Sequence, residues 1–222
     1  MNSPNAHTPI QRRLALAAGA AGTAALLATL SGCATQQIAD YANERPALDL
    51  RSYFNGMLDA YGVFTDRSGK VVKRFTVVMQ CTWQGPPGSE TGVLDEDFTY
   101  SDGTKSRRVW TLKRTPDGRY TGTAADVVGE AAGQEKGNAF RWGYTLKLPV
   151  DGPSDAGPPQ GASAPSGGSE VRKATSVGAL RTIEVQFDDW MYLMTDKVLL
   201  NKAEMSKFGF KLGEVTLSFV KR

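Results

Sequence analysis

Asp188 and Asp189, followed directly by Trp190, form the most unusual polar group in the sequence. Consecutive strand residues face opposite sides, so only one of the two carboxylates can enter the interior of a β-structure. If the strand stays regular, that residue is Asp189, which shares a face with Ile183, Val185 and Phe187. An inward carboxylate beside Trp190 would suit a ligand headgroup, or an internal partner such as Arg108. The alternative is a turn or bulge with two solvated aspartates, because Asp pairs favour turns. Asp95-Glu96-Asp97 offers neighbouring carboxylates for acid–base work; the other reading is a solvated strand entry. Its spacing is not that of a calcium loop. Arg107-Arg108 beside Trp110 could contact a phosphate or headgroup, or lie with Lys105 and Lys113 on an exposed strand face. Trp83, Trp110, Trp142, Tyr144 and Tyr192 would line a pocket or fill an interior. The sequence contains no phosphate-binding Gly loop, nucleophile-elbow Ser or paired-Cys metal motif.

The N-terminus is of another kind. Residues 1–32 hold no acidic residue, and Arg12 and Arg13 are their only basic ones. Leu14 to Gly32 is uncharged and mostly Ala, Gly and Thr. That is weakly apolar for a membrane-spanning helix and suits a bacterial export signal. Its ending, Leu30-Ser31-Gly32-Cys33, resembles the lipobox of bacterial lipoproteins. The resemblance implies cleavage before Cys33, a thioether-linked diacylglyceryl group on its sulfur, and acylation of the new N-terminus. Several acyl chains would anchor the protein stably, since each buried methylene contributes about 0.8 kcal/mol. Ala34 stands where Asp would resemble an inner-membrane retention signal of enteric bacteria, which favours the outer membrane and a periplasm-facing domain. Arg12-Arg13 also resembles a twin-arginine signal, with Gln11 and Ala15 departing from the pattern. An ordinary general-export signal is the alternative.

Processing would change the chemistry available. The only His, His7, is removed, which leaves no Ser-His-Asp or Cys-His unit and no His-based zinc or haem site. With Cys33 lipidated, Cys81 has no disulfide partner. It falls on the apolar face of an alternating run with Phe75, Val77 and Met79, where a free thiol behaves as a small hydrophobe. The formal charge of +3 falls to +1 without Arg12 and Arg13. Recruitment of nucleic acid is not indicated. No cofactor, metal or enzymatic activity is expected.

The elements that must position these residues are strands. Alternating runs separated by turn residues are read at 56–65, 71–83, 93–100, 106–114 and 119–128, with 129–137 as a Gly-punctuated loop. The Gly129, Gly133, Gly137 spacing matches a helix-packing motif only formally. Phe140, Trp142, Tyr144, Leu146 and Leu148 alternate with Arg141, Gly143, Thr145 and Lys147. Further strands are read at 180–187, 190–194, 198–205 and 210–220. Between them, residues 151–169 are all Gly, Pro, Ala or Ser except Asp151, Asp155 and Gln160. This composition predicts a disordered surface insertion. The expected fold is all-β: a single antiparallel up-and-down barrel of about nine or ten strands, since a long meander closes to remove its edges. A two-sheet sandwich is the fallback. The expected organisation is a signal peptide at 1–32, a lipidated tether at 33–52 and a barrel at 53–222.

Leu94-Asp95-Glu96-Asp97-Phe98, Tyr100-Ser101-Asp102-Gly103 and Arg108-Val109-Trp110 resemble a bacterial lipoprotein family known only as a domain of unknown function, DUF3833. Tyr120-Thr121-Gly122, Ala125 to Gly129, Gly137-Asn138-Ala139, Asp188 to Tyr192 and Lys207-Phe208-Gly209 extend the match over residues 50–221. The insertion has no evident counterpart. The resemblance implies a lipocalin-like barrel on a lipid anchor, without an established activity. The functional expectation is a periplasmic, membrane-anchored barrel that binds or carries an apolar ligand, fatty acyl or another lipid. The candidate ligand-binding residues are Arg108, Trp110, Trp142, Tyr144, Asp189, Trp190 and Tyr192, with lipidation at Cys33. The alternative is an envelope scaffold with a filled barrel.

Overall fold

The structure is a computed structural model and describes residues 35–149 and 181–222. The segment read as an export signal, Cys33 and the 151–169 stretch lie outside the described residues. Strands β1 (Gly56–Asp66), β2 (Val71–Gln84), β3 (Thr91–Tyr100), β4 (Lys105–Arg114) and β5 (Arg119–Thr123) follow one another as antiparallel neighbours. They continue through β6 (Ala131–Lys136), β7 (Ala139–Pro149), β8 (Thr182–Leu193), β9 (Val198–Lys207) and β10 (Phe210–Lys221). β10 then returns to pair with β1 from Leu58 opposite Lys221 to Asp66 opposite Gly213. The sheet is therefore a closed, lipocalin-like up-and-down barrel, and closure leaves no edge strand to pair with another chain.

Alternation decides which side chains enter. In β2, Phe75, Val77, Met79 and Cys81 are buried while Thr76, Val78, Gln80 and Thr82 face out. Cys81 is free and fully enclosed. Burial, helped by the negative charge of Glu96 and Asp95, pushes its thiol up to about 12, so it is an unreactive core residue. The hairpins close on short turns. Gly103, for example, adopts φ +83°, a conformation that L side chains rarely take.

Three boundaries differ from the sequence reading. The segment read as one strand over 119–128 and a loop over 129–137 is a short hairpin, β5 and β6, joined by residues 124–130. Gly133 permits it, because a Cβ there would meet the Arg141 carbonyl and the rings of Trp142 and Phe140. The strands read at 180–187 and 190–194 are one continuous β8. Asp188 and Asp189 pair in register with Gly143 and Trp142, with no turn between them. Residues 38–52, read as part of a tether, belong to the compact unit that begins at Ile38.

Residues 38–54 close one end of the barrel. A 3-10 turn at Ile38–Tyr41 lies against β6 and β7. A single helical turn, α1 (Leu50–Tyr53), is capped by Asp49, whose carboxylate accepts from Ser52 N at 2.8 Å. Leu50, Tyr53 and Phe54 are buried in the core. The Phe54 carbonyl accepts from Trp83 Nε1 at 2.5 Å, and Glu135 Oε2 accepts from Leu50 N at 2.9 Å. Tyr53 Oη reaches the carbonyls of Lys197 and Phe219 at 2.9 and 3.0 Å. Apolar side chains from α1 therefore plug the end where β1 begins, and polar contacts around the rim hold the plug.

Candidate functional site

Above that plug the barrel is hollow, with a cavity of about 120 Å³. Its wall is mostly apolar, and its aromatic side comes from β4, β7 and β8. Trp110 packs edge-on against Trp142 and Tyr144, with ring centroids 5.8 and 5.4 Å away. Tyr144 stacks on Phe187 at 5.0 Å. Such aromatic pairs contribute about 0.5–1.5 kcal/mol each beyond area burial.

One polar cluster interrupts the apolar lining. Glu96 on β3 stands opposite Arg108 on β4 in the strand ladder. Arg108 donates through Nη2 to Asp126 Oδ2 at 2.7 Å and through Nε at 3.2 Å. Asp126 belongs to the 124–130 connection. Val128 N donates to Thr145 O at 2.8 Å and Lys147 N to Asp126 O at 2.9 Å, which fixes that connection along β7. Asp189 on β8 accepts from Tyr144 Oη at 3.3 Å. Asn201 on β9 is 2% exposed and lines the same cavity.

The electrostatics follow from burial. Burial raises Glu96 to about 7, against the pull of Arg108 and with help from Asp126 and Asp189. Burial also raises Asp189 to about 7, opposed by the Tyr144 hydrogen bond and the Arg108 charge. Burial alone would lower Arg108, but Asp126 and Glu96 hold it above its usual value. Tyr144 is pushed well above the usual phenol range, first by burial and then by Asp189. Two carboxyls poised near neutrality can each hold or release a proton inside an apolar chamber. Glu96 has no hydrogen-bond partner among the described residues. Asp189 Oδ1 and both amide atoms of Asn201 are buried without a well-formed one, although the Asn201 side chain lies close enough to Asp189 to favour its carboxylate. Among the described residues no cluster of His, Cys, Asp or Glu is arranged to hold a metal.

Of the seven candidate ligand-binding residues, Arg108, Trp110, Trp142, Tyr144 and Asp189 lie together on the cavity wall. Trp190 and Tyr192 do not. With β8 regular, both fall on the outer face beside Asp188. There Trp190 lies 5.8 Å from Tyr41, and Arg141 sits over its ring at 5.2 Å. Tyr192 Oη lies 3.3 Å from Tyr41 Oη. Arg141 also binds Asp188 at 2.7 Å. The outer aspartate and both aromatics therefore fasten the N-terminal segment to the wall.

Asp126 and Asn201 were missed in the sequence, and Glu96 was named only within Asp95-Glu96-Asp97, as a candidate for acid–base work rather than as a cavity residue. Two of them carried a signal: Glu96 shares parity with Leu94 and Phe98, and Asn201 with Leu199, Ala203 and Met205. Taking Asp95-Glu96-Asp97 as one group hid the inward parity of Glu96. Asp95 and Asp97 do face outward, where Asp95 pairs with Arg107. Arg107 and Arg108 likewise separate to opposite faces. Asp126 carried no signal, because its position depends on how a loop lies across β7.

The family described as "Protein of unknown function (DUF3833)" matches residues 27–155 and 176–221. This chain belongs to the DUF3833 family. The DUF3833 match begins before Cys33 and breaks within and beyond the Gly/Pro/Ala/Ser-rich stretch. No curated protein matches the chain. Among solved structures, the fold is similar to that of an S-type phycobiliprotein lyase, CPES, from Guillardia theta. The TM-score is 0.50 at 6% identity, covering 78% of this chain and 90% of the lyase. At that identity the likeness to the lyase shows the fold alone.

Proposed function

We propose that this DUF3833 protein is a lipid-anchored envelope protein whose barrel binds one apolar ligand, a fatty acyl chain or another membrane-derived lipid. The observation that carries the reading is the hollow interior, walled by aromatics and marked by one polar cluster. A scaffold barrel filled with side chains would lack it. Ligand sites are concave, mostly apolar and given direction by a few polar groups. The cavity is close in size to the roughly 150 Å³ that accommodates a benzene ring. It therefore holds one end of a lipid rather than a whole one. Cleavage before Cys33 and acylation of its sulfur would tether the domain to the periplasmic face of a membrane, the outer membrane by the Ala34 criterion. That supplies a poorly soluble ligand from the adjacent bilayer.

Native mass spectrometry of the protein extracted from its bacterial host tests the reading. The expected result is a population carrying one extra small mass that denaturation releases. A uniformly ligand-free barrel, together with no uptake of short-chain apolar compounds, would overturn it. The anchor is tested separately. A Cys33→Ser variant should lose both acyl-chain labelling and sedimentation with membranes.

A further inference from the structure

The polar cluster restricts which end of an apolar molecule can enter. Its members come from five separate segments: Glu96 from β3, Arg108 from β4, Asp126 from the 124–130 connection, Asp189 from β8 and Asn201 from β9. The charges do not balance. Arg108 is the one cation of the cluster, and both of its contacts go to Asp126. That pair fixes the guanidinium, whose single charge already faces three carboxyls, Asp126, Glu96 and Asp189. Glu96 and Asp189 remain, both at least nine-tenths buried, without a cation of their own. Asp189 Oδ1 and the Asn201 amide are buried and line the same chamber without a well-formed hydrogen bond, and the Asn201 side chain lies close enough to Asp189 to favour its carboxylate. Buried polar groups in native proteins are normally satisfied, so unpartnered ones aimed into a cavity mark what an occupant supplies.

A carboxylate ligand would add a further negative charge to this chamber, next to two carboxyls that already disfavour each other's ionisation. An ammonium group would do the opposite. Its three N–H donors match Glu96, the free oxygen of Asp189 and the Asn201 carbonyl oxygen. Its charge would offset that of the carboxylates, and Trp110 and Trp142 line the same space. We propose that the cavity selects apolar molecules ending in a primary amine and rejects the free carboxylate of a fatty acid. This rests on the ligand-binding reading above and narrows it to a headgroup class.

Hexylamine, hexan-1-ol and hexanoate have similar length and differ in the charge of the head. Each is titrated calorimetrically at pH 8 into the full-length protein held in a non-ionic detergent. Hexylamine is expected to bind at least about tenfold more tightly than hexan-1-ol, with no measurable hexanoate binding, as for a desolvated charge pair. Glu96→Gln and Asp189→Asn should each abolish most of the amine's advantage over hexan-1-ol. Thermal melts accompany both variants to establish that they fold. Hexanoate binding as well as hexylamine, or variants that retain the amine preference, would overturn the proposal. Hexan-1-ol and hexylamine binding equally would overturn it while the apolar-ligand reading stands. Failure of all three to bind would overturn both.

Discussion

Arg108 is the residue on which the interior depends. It is surrounded by Asp126, Glu96 and Asp189, and its side chain is only 13% exposed. Removing one partner of a buried ion pair leaves an uncompensated charge, a loss of about 3–5 kcal/mol. Arg108→Met keeps the volume and removes the charge. Its unfolding free energy at pH 8, measured in urea, should fall by about that amount. The loss should be smaller at pH 5.5, where protonation removes the charge on Glu96 and Asp189. The surface pairs differ. Asp95–Arg107 and Asp188–Arg141 lie in water, where such pairs contribute about 0–1 kcal/mol.

At the scale of elements, what shapes the site is departure from a plain meander. β5 and β6 are short, and the connection between them runs beside β7 and delivers Asp126. α1 and Phe54 block the other end. The β9–β10 hairpin shows the opposite case, an element that is not optimised. Phe208 at its tip has φ 51° and is 83% exposed. The left-handed conformation costs an ordinary L residue about 1–2 kcal/mol, whereas Asn tolerates it. Phe208→Asn should therefore raise stability, and by about 2–4 °C per kcal/mol for a domain of this size. Differential scanning calorimetry reads the shift, and a lower Tm would show that the exposed ring makes a contact worth more than the strain.

For the molecule as a whole, two groups of carboxylates oppose each other. Glu96 and Asp189 are raised to about 7, above their unfolded values, so the folded chain holds more protons than the unfolded chain between about pH 4 and 7. Their contribution is fully present at the acid end of that window and is lost as pH rises through 7. Asp66, Asp95, Asp102 and Glu214 are lowered by hydrogen bonds and neighbouring cations. Their contribution is present above about pH 4 and lost below it. Stability should therefore peak near about pH 5 and decline by pH 8. In Glu96→Gln/Asp189→Asn the decline between pH 5 and 8 should flatten. Urea midpoints across that range measure it, and an unchanged slope in the double variant would remove these two residues as its source.

The all-β class, most of the strands and the enclosure of Cys81 were legible in the sequence, because strand alternation is local and has a period of two. The same rule placed Asp189 inside once β8 was known to be regular. It also placed Trp190 and Tyr192 on opposite parity from the face they had been assigned to. Closure was expected from the long meander; tertiary structure alone decided the register in which β10 meets β1, that residues 38–54 plug one end, and that a loop carries Asp126 to Arg108. It alone gathered Glu96, Arg108, Asp189 and Asn201 across four strands. Side-chain parity is written along the chain, but neighbours across a barrel are set by register and closure. These depend on every strand at once, and so does the charge balance of the chamber they enclose.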